Sequence, residues 1–281
     1  MSLLGIAALA GGTYLYMIAP SFRKAWLKEY RNTWFAHRGL YDNQAGIPEN
    51  SRKAFQRAID HGYGMEMDVE LSKDGVPVVF HDFTLERMAR DERNDPVYGK
   101  VSDYPYEKLK TFHLLDTEET IPSFEQFLDL VNGQVPLIVE LKAETGPEAI
   151  ALCRKADELL QNYHGKYVVE SFHPAVVQWY RNHRPKIIRG QLSEQFTKDP
   201  SQRKLKFFCM ENLLLNFAAR PDFIAYNSKH QRNLSRRIAR RLYGAPSVAW
   251  TIQSRKELEA MKGYYDLFIF EGFAPETNVK Q

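Results

Sequence analysis

The sequence has little cysteine, with only Cys153 and Cys209 among its 281 residues. The two lie far apart in the chain, so they form neither a disulfide framework nor the paired spacing of a zinc site. We predict two small buried side chains in a reducing compartment. The sequence also lacks a glycine-rich phosphate-binding loop and a GxSxG motif, so neither P-loop nor α/β-hydrolase chemistry is indicated.

An excess of one charge is also missing. The chain carries 38 Lys and Arg against 35 Asp and Glu, a formal net charge of +3. The excess lies within residues 1–31, so residues 32–281 are neutral overall. Nucleic acid is excluded as a partner because binding its phosphates requires a basic surface. A chain that is 44% hydrophobic and 26% charged is predicted to be globular rather than disordered.

Long apolar runs are rare, and only residues 2–20 form one, which excludes a polytopic membrane protein. A signal peptide is disfavoured because the basic residues follow this run instead of preceding it. We predict a single-pass membrane anchor with its basic flank at residues 1–31, and a cytoplasmic catalytic domain at residues 32–281. The alternative is an apolar helix that packs on the domain or lies in the membrane interface, because several glycines weaken the span.

From residue 33 onward, short apolar runs alternate with amphipathic helical patterns. This order predicts a parallel sheet with right-handed crossovers. A tight turn at residues 73–75 adds a hairpin strand, and eight strands remain, the number that closes a TIM-type (β/α)8 barrel of the α/β class. Residues 83–121 are predicted to be an insertion at the barrel rim. The predicted strands are residues 33–37, 65–71, 76–80 for the hairpin, 136–141, 166–172, 186–190, 222–227, 246–252 and 266–270.

Acidic side chains alternate with apolar ones on two of these strands. Glu66 and Asp68 are two residues apart and therefore share one face of a strand, and Glu140 and Lys142 repeat the arrangement. If that face is the barrel interior, the buried carboxylates need a compensating cation, and a hard divalent metal ion is the natural partner. The alternative is that the acidic residues face outward and the apolar ones form the core.

Two histidines favour the first alternative. His37 ends the first strand and His81 ends the hairpin strand, which brings two imidazoles to the rim where the carboxylates would gather. Arg38 follows His37 and can make bidentate contacts to a phosphate group. Together these residues indicate general acid/base chemistry on a phosphoryl group.

The same residues lie in the motifs HRG, PENS, EMDVELSKDGVPVVFHD and VELK, in this order between residues 37 and 142. In order and spacing the motifs resemble the glycerophosphodiester phosphodiesterase family, and a looser likeness in VVESFHP, AYN and AWTI covers nearly the whole domain. The resemblance implies a TIM barrel with an insertion after its first strands. It also implies a Mg²⁺ or Ca²⁺ cofactor, and cleavage of glycerophosphodiesters to glycerol 3-phosphate and an alcohol.

The resemblance implies a role for ten residues of this chain. These are metal ligation by Glu66, Asp68 and Glu140, acid/base catalysis by His37 and His81, phosphate contact by Arg38 and Lys142, lining of the site by Glu49 and Asn50, and an aromatic wall at Trp250. The chain departs from the family pattern at Glu271, where an Asp is common, and at Glu170, which adds a carboxylate. Both departures bear on substrate choice.

We therefore predict a membrane-tethered, metal-dependent hydrolase of small glycerophosphodiesters. One alternative is a phospholipase D-like activity on lysophospholipids or related lipid phosphodiesters, favoured by the apolar N-terminus. The other is a catalytically inactive barrel that serves as a membrane-associated binding module. The complete set of carboxylates, histidines and cationic side chains argues against this last alternative.

Overall fold

Eleven strands and ten α-helices make up the computed structural model, which describes residues 2–276. The strands are β1 (Trp34–His37), β2 (Gly64–Leu71), β3 (Pro77–Val79), β4 (Ala89–Arg90), β5 (His113–Leu114), β6 (Leu137–Leu141), β7 (Tyr167–Ser171), β8 (Arg189–Ser193), β9 (Phe223–Asn227), β10 (Ser247–Ile252) and β11 (Leu267–Phe270). The α-helices are α1 (Leu3–Ile18), α2 (Arg52–Asp60), α3 (Tyr106–Leu109), α4 (Phe124–Val131), α5 (Gly146–Leu160), α6 (Pro174–His183), α7 (Leu205–Glu211), α8 (Asn216–Ala219), α9 (Leu234–Leu242) and α10 (Arg255–Met261).

Eight of the strands are parallel and close into a barrel. The hydrogen-bonded order runs β1-β11-β10-β9-β8-β7-β6-β2, and β1 also pairs with β2, which closes the circle. The strand β3 pairs antiparallel with β2, as the turn at residues 73–75 predicts. Helices follow most of the barrel strands, so the predicted TIM-type (β/α)8 fold is confirmed.

One predicted strand is displaced along the chain. The sequence pattern places it at residues 186–190, but β8 begins at Arg189. The chain is still turning before that point, because the Ile187 amide donates to the Arg184 carbonyl. Within β8, Gly190 permits close packing, since a Cβ atom there would lie 2.1 Å from the Phe223 ring.

The two faces of β2 pack against different surroundings. Met65, Met67 and Val69 belong to the apolar layer between the barrel and its helices. Because successive side chains of a strand point to opposite faces, Glu66 and Asp68 point into the barrel, where both are buried. The alternative that the acidic residues face outward is therefore wrong.

The segment 83–121 forms the predicted insertion beside β3. It contains the two-stranded sheet of β4 and β5 and the short helix α3. A separate apolar cluster holds it together, in which Leu85, Val101 and Leu114 pack with Val78 of β3. The insertion therefore rests on the hairpin strand, next to the carboxyl-terminal mouth of the barrel.

The N-terminal helix α1 ends at Ile18, two residues before Pro20, and is 16 residues long. Its last turns contact the barrel's outer helices: the Tyr243 hydroxyl donates to the Leu15 carbonyl. Residues 2–13 are all exposed. Among residues 2–276, none of the helices combines the length and apolar character needed to cross a membrane, so the predicted membrane-spanning helix is not supported.

The residues after α1 close the amino-terminal end of the barrel. A 3-10 helix at Ala25–Glu29 places Trp26 on the buried Phe223 ring, with ring centroids 5.4 Å apart, and Tyr30 stacks on Phe35. These side chains share one apolar cluster with the inward-facing strand residues. The boundary predicted between residues 31 and 32 therefore separates residues that pack together.

Candidate active site

A cavity of about 500 Å³ opens at the carboxyl-terminal mouth of the barrel. Its wall is formed by the ends of β1, β2, β6, β7, β8, β10 and β11. Charged side chains from β11, β1, β2 and β6 occupy one half of the mouth. Apolar side chains from β7, β8 and β10 occupy the other half, where Phe172, Leu192 and Trp250 line the wall. Active sites of TIM barrels lie at this end of the fold.

Three buried carboxylates meet at the charged half. Glu66, Asp68 and Glu140 each present an oxygen, and these three oxygens lie within 4.8 Å of one another. The parallel register of β2 and β6, in which Asp68 is paired with Glu140, brings them together. Two oxygens bound to one Ca²⁺ at about 2.3–2.6 Å can be at most about 5 Å apart, so the spacing suits a shared divalent cation.

The pKa shifts of these carboxylates show that their negative charges repel one another, which a bound cation would offset. Burial, together with the charges of Asp68 and Glu140, raises the pKa of Glu66 well above its ordinary value. Burial also raises the pKa of Glu140, although Lys142 opposes this effect. Burial alone would raise the pKa of Asp68 as well, but the charges of His81, Lys142 and Arg38 lower it. Asp68 Oδ1 is buried without a hydrogen bond, and the cation nearest to it is Lys142 Nζ at 3.4 Å, so this oxygen can still accept a metal ion.

Each of the two predicted catalytic histidines pairs with a carboxylate. His37 Nδ1 lies 2.5 Å from Glu271 Oε2, and His81 Nδ1 lies 2.5 Å from Asp82 Oδ1. Each carboxylate favours a proton on Nδ1 and leaves Nε2 for chemistry. Burial and the nearby charge of Arg38 lower the pKa of His37, which favours its neutral form. His37 Nε2 lies 3.8 Å from Glu66 Oε2, at the edge of the carboxylate cluster.

The turn after β1 positions Arg38. Arg38 and Gly39 both have positive φ angles, of 53° and 79°. Only glycine suits the second position, because a Cβ atom there would lie 2.8 Å from the backbone of Ala54. The turn directs the Arg38 guanidinium between two carboxylates, 2.7 Å from Glu49 and 3.4 Å from Asp68.

The structure brings all ten predicted site residues to this mouth. Asn50 donates to Asp68 over 2.9 Å, and Lys142 Nζ lies 3.4 Å from Asp68 and 3.3 Å from Glu140. Lys142 is therefore placed against the carboxylate cluster, where its positive charge offsets theirs. The other eight residues either line the cavity or belong to the carboxylate cluster: His37, Arg38, Glu49, Glu66, Asp68, His81, Glu140 and Trp250.

Several site residues were not predicted from the sequence. Glu271, which the sequence singles out only as a departure from the family pattern, holds His37. Asp82 holds His81, and its place next to that histidine in the sequence is a signal for it. Arg87 comes from the insertion and pairs with Glu49 at 2.6 Å. Tyr41 donates to Glu271 over 2.9 Å. No sequence signal identifies Arg87 or Tyr41, because both lie on irregular segments whose course depends on the tertiary fold.

A carboxylate cluster and two histidine–carboxylate pairs at the mouth of a TIM barrel define a class, the barrel phosphodiesterases. The sequence model of the glycerophosphoryl diester phosphodiesterase family matches residues 37–267 of this chain. The chain therefore belongs to this family, and the predicted enzyme class, a phosphoric diester hydrolase, is confirmed.

Individual relatives agree with this assignment. The chain is 31% identical over 176 residues to a glycerophosphodiester phosphodiesterase of Bacillus altitudinis, covering 59% of this chain and 68% of the relative. It is 26% identical over 239 residues to the enzyme of the same name from Caldanaerobacter subterraneus subsp. tengcongensis, covering 80% and 88%. A solved phosphodiesterase of Oleispira antarctica, in complex with the product sn-glycerol-3-phosphate, has the same fold with a TM-score of 0.67, 21% identity and coverage of 87% and 94%.

Proposed function

We propose that this protein hydrolyses small glycerophosphodiesters to glycerol 3-phosphate and an alcohol, with a divalent cation, Mg²⁺ or Ca²⁺, held by Glu66, Asp68 and Glu140. The observation that carries the proposal is the cluster of three carboxylate oxygens within 4.8 Å of one another, flanked by two histidines. The Oleispira antarctica phosphodiesterase, solved in complex with its product sn-glycerol-3-phosphate, supports the product assignment.

The bound cation would supply Lewis-acid stabilisation of charge on the non-bridging phosphate oxygens. Arg38 and Lys142 add positive charge beside the same carboxylates and hold them in place through the contacts described above. Glu49 in turn is held between Arg38 and Arg87, which fixes the direction of the Arg38 guanidinium. These contacts keep the phosphate-binding half of the site rigid before substrate binds.

The two histidines transfer the protons of the hydrolysis. One accepts a proton from the attacking hydroxyl as its oxygen bonds to phosphorus, and the other donates a proton to the alcohol oxygen as its bond to phosphorus breaks. The attacking group is water or the glycerol 2-hydroxyl, and the second choice passes through a cyclic phosphate. Glu271 and Asp82 hold His37 and His81 in the tautomer that presents Nε2.

The test is turnover of glycerophosphocholine by the full chain, with release of glycerol 3-phosphate as the readout. We expect activity with Mg²⁺ or Ca²⁺, loss of activity in excess chelator, and loss of activity in Glu140→Gln with the fold retained by circular dichroism. Glu144→Gln is the matched control, because Glu144 is an exposed carboxylate bonded to Lys100 outside the cavity. Full activity in chelator would contradict the metal assignment, and a folded wild type without any diesterase activity would favour the inactive barrel.

Lysophospholipids are a second candidate substrate class, because aromatic side chains lead from the cavity to an apolar surface. Phe172 contacts Phe196, which contacts Phe207 of α7, with ring centroids 5.8 and 5.6 Å apart. Leu205 and Phe208, which lie on either side of Phe207 in α7, are exposed. Release of lysophosphatidic acid from lysophosphatidylcholine at a kcat/KM above that for glycerophosphocholine would establish this alternative.

We further propose that the N-terminal segment attaches the protein to a membrane. The support is the exposed part of α1, residues 2–13, which has no charged side chain. A helix that is apolar on all sides needs an apolar environment, and the rest of the protein does not cover this one. The full chain should sediment with phospholipid vesicles, and a variant lacking residues 2–13 should remain in the supernatant. Equal sedimentation of the full chain and the truncated variant would contradict the proposal. The cytoplasmic location of the barrel is not addressed by this experiment and stays a prediction.

A further inference from the structure

Glu170 is a buried carboxylate that the proposed reaction does not use. It is 1% exposed, lies at the carboxyl end of β7 and lines the cavity. Its Oε2 atom is buried without a hydrogen-bond partner. It pairs in register with Glu140, yet it is not among the three carboxylates whose oxygens converge. A buried carboxylate without a partner is costly, so this position is suited to a positively charged group that enters the cavity.

Two aromatic rings line the same cavity as Glu170. Phe172 comes two residues after Glu170, directly after the end of β7, so both side chains point into the mouth. The Phe172 ring meets the Trp250 ring at a centroid distance of 5.5 Å and an angle of 85°. Two aromatic rings at right angles form a corner, and the faces of such rings attract organic cations.

The net charge of the cavity wall points the same way. Five carboxylates and two guanidinium groups line it, from Glu49, Glu66, Glu140, Glu170, Glu271, Arg38 and Arg87. One divalent cation and one phosphodiester anion together contribute a single positive charge, so with all five carboxylates ionised the loaded site is still acidic. A cationic substituent on the substrate would offset this excess, whereas an anionic one would increase it.

We propose that Glu170, Phe172 and Trp250 form a subsite for the leaving alcohol, and that this subsite selects alcohols carrying a quaternary or alkylated ammonium group. The inference rests on the proposed diesterase activity and names its preferred substrate class. The phosphate occupies the charged half of the mouth, at the carboxylate cluster. The ammonium group then lies in the apolar half, with its methyl groups against the Phe172–Trp250 corner and its charge toward Glu170.

The test compares two substrates that differ only in charge: glycerophosphocholine and its carbon isostere, the glycerophosphodiester of 3,3-dimethylbutanol. The wild type should show a kcat/KM for the choline ester at least about tenfold above that for the isostere, the scale expected of a desolvated cation–aromatic contact. Glu170→Gln and Phe172→Leu should each reduce this ratio toward one. Glu194→Gln should leave the ratio unchanged, because Glu194 is the carboxylate after β8 and is bonded to Asn227.

The other outcomes overturn the inference. Equal kcat/KM for both substrates in the wild type overturns it, as does a ratio that survives in Glu170→Gln. Equal losses on both substrates in Glu170→Gln, with weaker Mn²⁺ binding by calorimetry, would instead make Glu170 a metal ligand.

A binding measurement without turnover distinguishes failure of the proposed hydrolysis from failure of the proposed subsite. If the wild type cleaves neither diester, hydrolysis fails, and calorimetric binding of choline against 3,3-dimethylbutanol decides the subsite separately. Preferential choline binding that Glu170→Gln removes supports the subsite, and equal binding of the two alcohols overturns it.

Discussion

At the scale of single residues, Glu271 acts through His37. Its carboxylate accepts from His37 Nδ1 and from the Tyr41 hydroxyl on one oxygen, and from Gln253 on the other. We predict that Glu271→Gln lowers kcat by roughly 10²- to 10⁴-fold, because the amide no longer fixes the tautomer that presents Nε2. Glu271→Asp should restore part of the rate. Tyr41→Phe, which leaves the His37–Glu271 contact intact, should cost far less.

Steady-state kinetics with two leaving groups check this assignment. A nitrophenyl diester needs no general acid, so it should rescue only variants that lack the acid. His37→Ala and Glu271→Gln should therefore respond alike, and His81→Ala should respond in the opposite way. If Glu271→Gln instead follows His81→Ala, Glu271 does not act through His37.

The carboxylate cluster makes stability depend on pH. The pKa values of Glu66 and Glu140 are raised, chiefly by burial, so the folded protein holds protons that the unfolded chain has released. This stabilisation is complete below the ordinary carboxyl pKa and is lost as pH rises through the folded values. A bound divalent cation replaces the protons. We predict that the cation raises the melting temperature more at about pH 8 than at about pH 5.

Differential scanning calorimetry in chelator and in excess Ca²⁺ measures this difference. Glu140→Gln should show a smaller cation effect at both pH values, because it lacks one of the proposed ligands. An equal rise in melting temperature at the two pH values would contradict the proposed competition between protons and metal ion.

Strand periodicity predicts only part of the site, whereas the family resemblance alone suggests Glu49, Asn50 and Trp250. Glu66 and Asp68 share a face because a strand repeats every two residues, and the register of β2 and β6 then adds Glu140. Arg87 has no such constraint, since the insertion reaches Glu49 only through its tertiary packing on β3. The role of Glu271 depends on β11 closing the barrel beside β1, which the sequence of either strand alone does not show.

At the scale of elements, the turn between β1 and α2 links stability to activity. Gly39 has a φ of 79° and lies against the Ala54 backbone, so an alanine there adds a clash to the cost of a left-handed backbone. We predict that Gly39→Ala lowers both the melting temperature and kcat/KM, because relief of the clash moves Arg38. The left-handed backbone alone costs about 1–2 kcal/mol, and overpacking adds about 1–3 kcal/mol.

Gly75→Ala is the control for this prediction. Gly75 has a nearly equal φ of 78° but no atom within 4 Å of the added methyl group, and it lies in the turn before β3. Gly75→Ala should lose only the folding stability that corresponds to a left-handed alanine and should keep its kcat/KM. Equal effects of the two substitutions on thermal stability and on kinetics would show that the Ala54 contact does not position Arg38.

Element boundaries were predicted less well than element types. The strand pattern KIIRG places β8 at residues 186–190, and the apolar residues are indeed packed, Ile187 on the outer layer and Ile188 on the inner cluster. The turn from Arg184 to Ile187 delays the start of the strand. Apolar periodicity indicates which residues are buried, and here the buried residues begin before the hydrogen-bonded residues of β8.

At the scale of the whole molecule, the N-terminal segment has two parts with different roles. Residues 2–13 are exposed and do not contribute to the core. The part that follows packs closely: Trp26, Leu27 and Tyr30 fill the amino-terminal end of the barrel. Arg23 adds an ion pair with the fully buried Asp222 and donates to the Ile187 carbonyl over 3.1 Å. Only the second part should therefore affect folding stability.

Two nested truncations test this division. Removal of residues 2–13 should change the melting temperature by no more than about 2 °C, because it uncovers no core side chain. Removal of residues 2–31 should lower it by roughly 10 °C or more, since the loss of one buried tryptophan alone costs about 3–5 kcal/mol. Should the longer truncation fail to fold, Trp26→Ala in the full chain gives the same comparison. Equal melting temperatures for the two truncations would show that the barrel closes without this segment, and the domain would then begin at residue 32 as the sequence predicts.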